Sequence, residues 1–171
     1  VAPKGPGHAY SIDDVVALAK DGLTGRDFAN GKAMYAATMC AACHHIAGEG
    51  GNIGPDLTGS GNRYTIRDLT ENITEPSKVI SDQYPSEVIT LKNGQTVTGR
   101  VVVEENNTLF VMTSAFAPNA LTTVADADIT DRKPHPVSMM PPGLLNALNP
   151  DELLDLYAYI LSGGNPNDPR F

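Results

Sequence analysis

The sequence predicts a mainly α chain that carries a small antiparallel β-sheet as an insertion over residues 86–131. Three observations lead there. Apolar residues recur at helical spacing toward both ends, and β-branched runs in the middle are broken by Asn93-Gly94. A Cys-x-x-Cys-His stretch, Cys40-Ala41-Ala42-Cys43-His44, follows the first long helical pattern. Residues 1–25 are expected to form an N-terminal extension with one short helix. Residues 26–171 are expected to form one domain, interrupted by the insertion.

Taken in order, residues 1–10 are rich in Pro and Gly and should be loosely ordered. Ser11 is placed to cap a short helix, with Asp14 completing a capping box and Gly22 ending it. Arg26 to Cys40 reads as helix, with Phe28, Met34, Tyr35 and Met39 as its larger apolar residues. Gly31 lies one turn before Tyr35; a glycine there lets another helix approach closely, at a cost of about 1 kcal/mol relative to alanine. Gly48 to Gly61 is a glycine-rich loop around Gly54-Pro55-Asp56-Leu57. Thr65 to Val79 is again helical on Ile66, Leu69 and Ile73, and Pro76 should end or interrupt it.

Val88 to Leu91 and Thr96 to Val103 flank Asn93-Gly94, the strongest short-range hairpin signal. Thr108 to Thr113 and Leu121 to Val124 form a second pair, and the sheet is expected to curl so that its edges are covered. Asn149-Pro150-Asp151-Glu152 opens the last helix with a capping Asn, Pro at the first helical position and acids in the first turn. Leu153, Leu156, Tyr157, Ile160 and Leu161 keep helical period until Gly163-Gly164. This helix is expected to cross the Gly31 helix near Tyr157.

The chemistry concentrates at Cys40, Cys43 and His44. Two cysteines separated by two residues, with histidine directly after the second, form the attachment signature of a c-type haem. The thiols add across the porphyrin vinyl groups, the intervening residues supply a turn that places both sulfurs at one macrocycle edge, and the imidazole becomes the proximal iron ligand. The alternatives are half a zinc site or a thioredoxin-like redox pair. Zinc would need more thiolates or histidines at matching spacing, and the chain has only 2 cysteines. A redox pair would want a βαβ setting, whereas a helical pattern precedes Cys40.

Composition adds a compartment. The 171 residues carry a formal net charge of −8, which disfavours nucleic acid and favours a protein partner with a basic docking face. No stretch has the apolar length to span a bilayer. Covalent haem attachment takes place outside the cytoplasm, so a periplasmic or otherwise extracytoplasmic location is expected. Val1 then reads as a processed or trimmed start, and trimming could have removed a membrane tether or a larger parent polypeptide.

The iron also needs a sixth ligand or an open site. Met34, Met39 and Met112 read as core filler. Met139-Met140-Pro141-Pro142 lies in a loop where proline stiffens the backbone beside the thioethers, and only one of the pair can ligate. His45 neighbours the proximal ligand and cannot easily reach the opposite face. His8 and His135 read as surface or loop residues, with His135 the better reserve.

Gly31, Tyr35, the Cys40–His44 motif, Gly54-Pro55-Asp56-Leu57, Met140-Pro141 and the terminal helix with Leu156-Tyr157-Ala158-Tyr159-Ile160 together resemble a class I monohaem cytochrome c. The resemblance implies the class I cytochrome c fold, one covalent haem c, and His44 and Met140 as axial ligands. It also implies that the Pro55 carbonyl faces the His44 ring and fixes its Nδ1 proton. A closer resemblance covers nearly everything after residue 30. Glu75-Pro76-Ser77-Lys78-Val79-Ile80, the strand pair around Leu91-Lys92-Asn93-Gly94, and Ser138 to Leu145 are similar to the haem-binding domain of planctomycete and verrucomicrobial proteins. There the methionine directly before the proline is the shared one, which favours Met140, while Met139 leaves the assignment open.

Two function classes follow. One is a non-enzymatic electron carrier, in which His/Met ligation keeps iron six-coordinate between a dehydrogenase donor and an oxidase or cytochrome acceptor. It could also be the electron-transfer domain of a larger dehydrogenase. The other is a haem sensor or peroxidase-like domain with a labile distal ligand, but no general-acid pair is evident for a distal pocket. A weaker third reading makes the β insertion a docking module for a partner or carbohydrate.

Overall fold

The computed structural model describes residues 1–171. The chain divides into two compact units, one formed by Val1–Glu75 with Pro142–Phe171 and the other by Pro76–Pro141.

The first unit is helical. It contains α1 (Ile12–Gly22), α2 (Phe28–Ala37), the single turn α3 (Cys40–Cys43), a two-strand ribbon of β1 (His45–Ile46) and β2 (Glu49–Gly50), α4 (Ser60–Arg63), α5 (Ile66–Thr74) and α6 (Pro150–Leu161). Local chemistry sets the ends. The Ser11 hydroxyl accepts the Asp14 amide at 3.1 Å, and the Asp14 carboxylate accepts the Ser11 amide at 2.9 Å. Thr65 and Asp68 make the same box on α5, and Asn149 and Glu152 make it on α6. The last helix is the axis of this unit, because every residue from Glu152 to Leu161 is buried. A helix covered on all sides must have neighbours all round. Gly31 of α2, Gly22 of α1 and Gly61 of α4 each supply a close approach: an added Cβ would overlap the Asp155 carbonyl oxygen, meet Leu154 Cδ1 at 2.7 Å, or overlap the Leu161 carbonyl oxygen, respectively. Asp155 receives the α2 end directly, its carboxylate accepting the Asp27 amide at 3.1 Å and Asn30 Nδ2 at 2.8 Å.

The second unit is a five-stranded antiparallel sheet in the order β6-β5-β4-β3-β7, with β3 (Glu87–Leu91), β4 (Thr96–Glu105), β5 (Thr108–Met112), β6 (Leu121–Ala125) and β7 (Ile129–Pro134). The long β4 serves two partners: Thr96–Gly99 pairs with β3, and Arg100–Glu105 pairs with β5 around an irregularity between Val101 and Val103. Ile89, Leu109, Val111 and Val124 form its buried core, with Leu91, Val97, Val101 and Ile129 packed against them.

The expectation of a mainly α molecule in the class I cytochrome c fold is overturned. The chain is 31% helical and 20% strand, including the five-stranded sheet. The reason is physical: the β-branched residues after Ser86 close around their own apolar core. The fifth strand, Ile129–Pro134, pairs with β3, while β6 and β7 end the sheet unpaired with each other, so the edges are not closed by curling.

Two local expectations also change, for Arg26 to Cys40 and for residues 1–10, while the stop expected of Pro76 is present. Helix α2 stops at Ala37, three residues short of Cys40, because Met39 turns left-handed at φ 66°; beside that turn the Thr38 hydroxyl donates to the Met34 carbonyl at 2.7 Å. Met39 is accordingly 45% exposed and is not core filler, whereas Met34 and Met112 are buried. Helix α5 ends at Thr74, since a residue before proline is pushed out of the helical region. Residues 1–10 are irregular but tied down: the Lys4 amide donates to Glu152 Oε1 at 2.6 Å, the His8 amide to the Asn146 carbonyl at 3.0 Å, and the Tyr10 hydroxyl to the Leu148 carbonyl at 2.7 Å.

Candidate functional site

Cys40 and Cys43 are free thiols at the two ends of the one-turn helix α3, and His44 follows in extended conformation as its C-cap. The left-handed Met39 lets the chain leave α2 and start this turn afresh. Burial pushes both thiols above the usual cysteine range, so each rests as the neutral thiol rather than as a thiolate nucleophile. Cys40 is the deeper of the two, 8% exposed, with the Thr38 hydroxyl 3.3 Å from its sulfur.

The loop that follows is laced back onto the turn by its own amides. Gly51 N donates to the Ala41 carbonyl at 2.9 Å, Gly54 N to the Cys43 carbonyl at 2.8 Å, and Leu57 N to the His45 carbonyl at 2.9 Å. This lacing carries Pro55 to the imidazole, where the His44 Nδ1–Pro55 oxygen distance is 2.7 Å. A carbonyl can only accept, so Nδ1 bears the proton and Nε2 keeps its lone pair. Burial depresses the His44 pKa, the Pro55 carbonyl opposes that, and the balance leaves the ring neutral at physiological pH. A neutral imidazole with an oriented Nδ1–H and no protein partner on Nε2 is the state required of an axial ligand. Tyr35, on α2, steadies the backbone by donating its hydroxyl to the His44 carbonyl at 3.0 Å.

The donor set fits a covalently held haem: two neutral thiols outside any disulfide on one turn, and an adjacent imidazole with a free Nε2. No group of three or more His, Cys, Asp or Glu side chains could hold a metal ion, so the zinc reading lacks its ligands. His45 is committed elsewhere, its Nδ1 lying 3.1 Å from the Gly51 carbonyl and its Nε2 3.3 Å from Asp56. His8 stands beside Asp14 at 3.7 Å.

Met139, Met140 and His135 belong to the sheet unit, apart in the chain's division from Cys40, Cys43, His44 and Pro55. Within that unit Met139 and His135 line a cavity, while Met140 does not, and the Met140 amide donates to the Ser138 hydroxyl at 3.1 Å. The lacing amides of Gly51, Gly54 and Leu57 escaped the sequence reading because backbone bonds leave no residue-type signature. The glycines at 51 and 54 were the available hint, since a side chain at either would collide with the Ala42 carbonyl or the His44 ring.

A family model described as Cytochrome c matches residues 28–96, from the start of α2 into the start of β4. That family binds haem covalently and works in electron transport. The match spans the Cys40–His44 turn and Pro55 and stops before Met139, Met140 and α6. No curated protein matches the chain. No helix is long and apolar enough to cross a membrane.

Proposed function

We propose that this chain is a monohaem c-type cytochrome that carries single electrons between extracytoplasmic redox proteins, with His44 and Met140 as the axial pair. The carrying observation is the neutral His44 ring, whose Nδ1 is held 2.7 Å from the Pro55 carbonyl beside two free thiols. A haem bound there supplies a reversible one-electron couple. Cys40 and Cys43 would provide the thioether sulfurs and His44 Nε2 the proximal ligand, while Pro55 is the acceptor that keeps Nδ1 protonated and the ring oriented. Met140 is favoured over Met139 as the methionine directly before Pro141. The similarity of Glu75 to Ile80 and Ser138 to Leu145 to the planctomycete and verrucomicrobial haem-binding domain supports the same choice. The net charge of −8 suits a donor or acceptor with a basic docking face.

Absorption spectroscopy on the haem-loaded protein tests the reading. Met140→Ala should abolish the weak near-infrared ferric band that reports an iron–sulfur bond and should lower the reduction potential. Met139→Ala should do neither. The reverse pattern would move the ligand upstream, and haem lost on acid-acetone extraction would sink the covalent assignment.

A further inference from the structure

The sheet unit encloses a cleft of about 250 Å³, lined wholly by residues of that unit. Its walls are rich in hydroxyls, contributed by Ser86, Thr98, Thr113, Ser114 and Ser138; His135 is their single ionisable side chain, and they contain no Asp, Glu, Lys or Arg. Ser86 is only 4% exposed, and its Oγ is buried without any protein hydrogen-bond partner. Such a group costs stability unless something pairs with it, so its retention in the wall of a cleft points to a ligand. The Ser114 and Ser138 hydroxyls accept the Phe116 and Met140 amides at 3.3 and 3.1 Å, which leaves their own hydrogens to be given elsewhere. Phe116, 61% exposed, and Val137, 50% exposed, add apolar surface to the same lining.

We propose that this cleft binds a small, neutral, polyhydroxylated molecule of monosaccharide size, with Ser86 Oγ as one of its hydrogen-bond partners. Charge selects neutrality: with a single imidazole, His135, and no carboxylate, ammonium or guanidinium in the walls, an ion would give up its hydration for little fixed charge in return. Volume selects a single ring, since the cleft falls below the about 300–1,000 Å³ of a site for larger organic ligands. Mixed lining selects the class, because a sugar ring offers hydroxyls to the serines and threonines and a C–H face to Phe116. The site stands independently of the haem assignment.

Saturation-transfer NMR on the whole chain with methyl α-D-glucopyranoside and methyl β-D-galactopyranoside provides the test, with sodium acetate as the charged comparison. At least one glycoside should receive saturation in its ring protons, and acetate should receive none. Ser86→Ala should weaken binding about three- to tenfold, as befits the loss of one neutral hydrogen bond. That change removes an unpartnered buried hydroxyl, so the thermal midpoint should hold or rise. Phe116→Ala, at an exposed position, should weaken binding with the fold unchanged and serves if Ser86→Ala misfolds. No saturation of either glycoside, acetate binding as well as the sugars, or wild-type affinity in both variants would overturn the proposal.

Discussion

His44 owes its orientation to a residue with no side chain. A Cβ on Gly54 would lie 2.5 Å from His44 Cε1 and 2.8 Å from Nδ1, so the ring can face the Pro55 carbonyl only because position 54 is glycine. Gly54→Ala should therefore tilt the imidazole and strain the lacing loop. Overpacking of this kind costs about 1–3 kcal/mol, seen as a lower thermal midpoint, and the ferrous spectrum should shift with it. An unchanged midpoint and spectrum would mean that the ring has slack. Glu152 is a second residue whose surroundings decide its chemistry. Burial acts to raise its pKa, but the amides of Lys4, Asn149 and Gly5 outweigh burial and leave the carboxyl below the ordinary glutamate value. A folded-state pKa that is depressed contributes stability that is present above the unfolded value and lost as pH falls through the folded one. Acidification below the ordinary glutamate range should thus loosen the first ten residues from α6. Glu152→Gln should flatten that part of the stability–pH curve, measured by thermal denaturation across the acid range; a curve parallel to wild type would show that another carboxylate is responsible.

Gly31 sits where α2 meets α6: an added Cβ would overlap the Asp155 carbonyl oxygen and lie 2.9 Å from Tyr159 Cβ, and these two residues flank the expected position of Tyr157. Gly31→Val should overpack this crossing and destabilise the protein by about 1–3 kcal/mol or more, read as a fall in the thermal midpoint. A midpoint equal to wild type would show that the helices can part there without cost. Tyr157 itself turns toward α5: Thr70 spends its one hydroxyl hydrogen on the Ile66 carbonyl, so the Tyr157 hydroxyl must donate to Thr70 Oγ at 2.9 Å. Elements whose signals are local were legible in the sequence. Ser11 with Asp14, Asn149 with Glu152, and the Asn93-Gly94 turn each carry their structure in adjacent residues, and each is present as read. The break between α2 and α3 was not legible, because a left-handed methionine has no propensity signal. The turn at Asn106-Asn107, where both residues have positive φ (53° and 55°), did carry a signal, since asparagine tolerates that region better than other side chains. Of the candidate site, the thiols and imidazole were readable from spacing, while the Gly51, Gly54 and Leu57 amides that hold the loop were not.

At the scale of the molecule, each unit packs an apolar core of its own. The sheet closes over Ile89, Leu109, Val111 and Val124, and its strands draw their ladder bonds from one another. The helical unit packs α1, α2, α4 and α5 around α6 and completes it with the N-terminal segment and the C-terminal Phe171, whose ring meets Phe28 at 5.2 Å in an edge-on arrangement. The groups that orient His44 all belong to this helical unit: Pro55, Gly54 and Tyr35 lie before Glu75. Replacing residues 86–131 by a short Gly/Ser linker removes β3 to β6 and the start of β7 while leaving every one of those groups in place. Such a variant should lose its strand signal in far-UV circular dichroism, keep its helical signal, and still take up haem at Cys40 and Cys43. Met140 lies beyond the excised segment, so the near-infrared iron–sulfur band should also survive. Retention of thioether bands in the pyridine haemochrome together with that near-infrared band is the expected result. Loss of haem attachment would mean that the helical unit does not fold without the sheet. Attachment retained with the band lost would mean that the sheet is needed to present the methionine, which would make it part of the ligation apparatus rather than a separately folded addition.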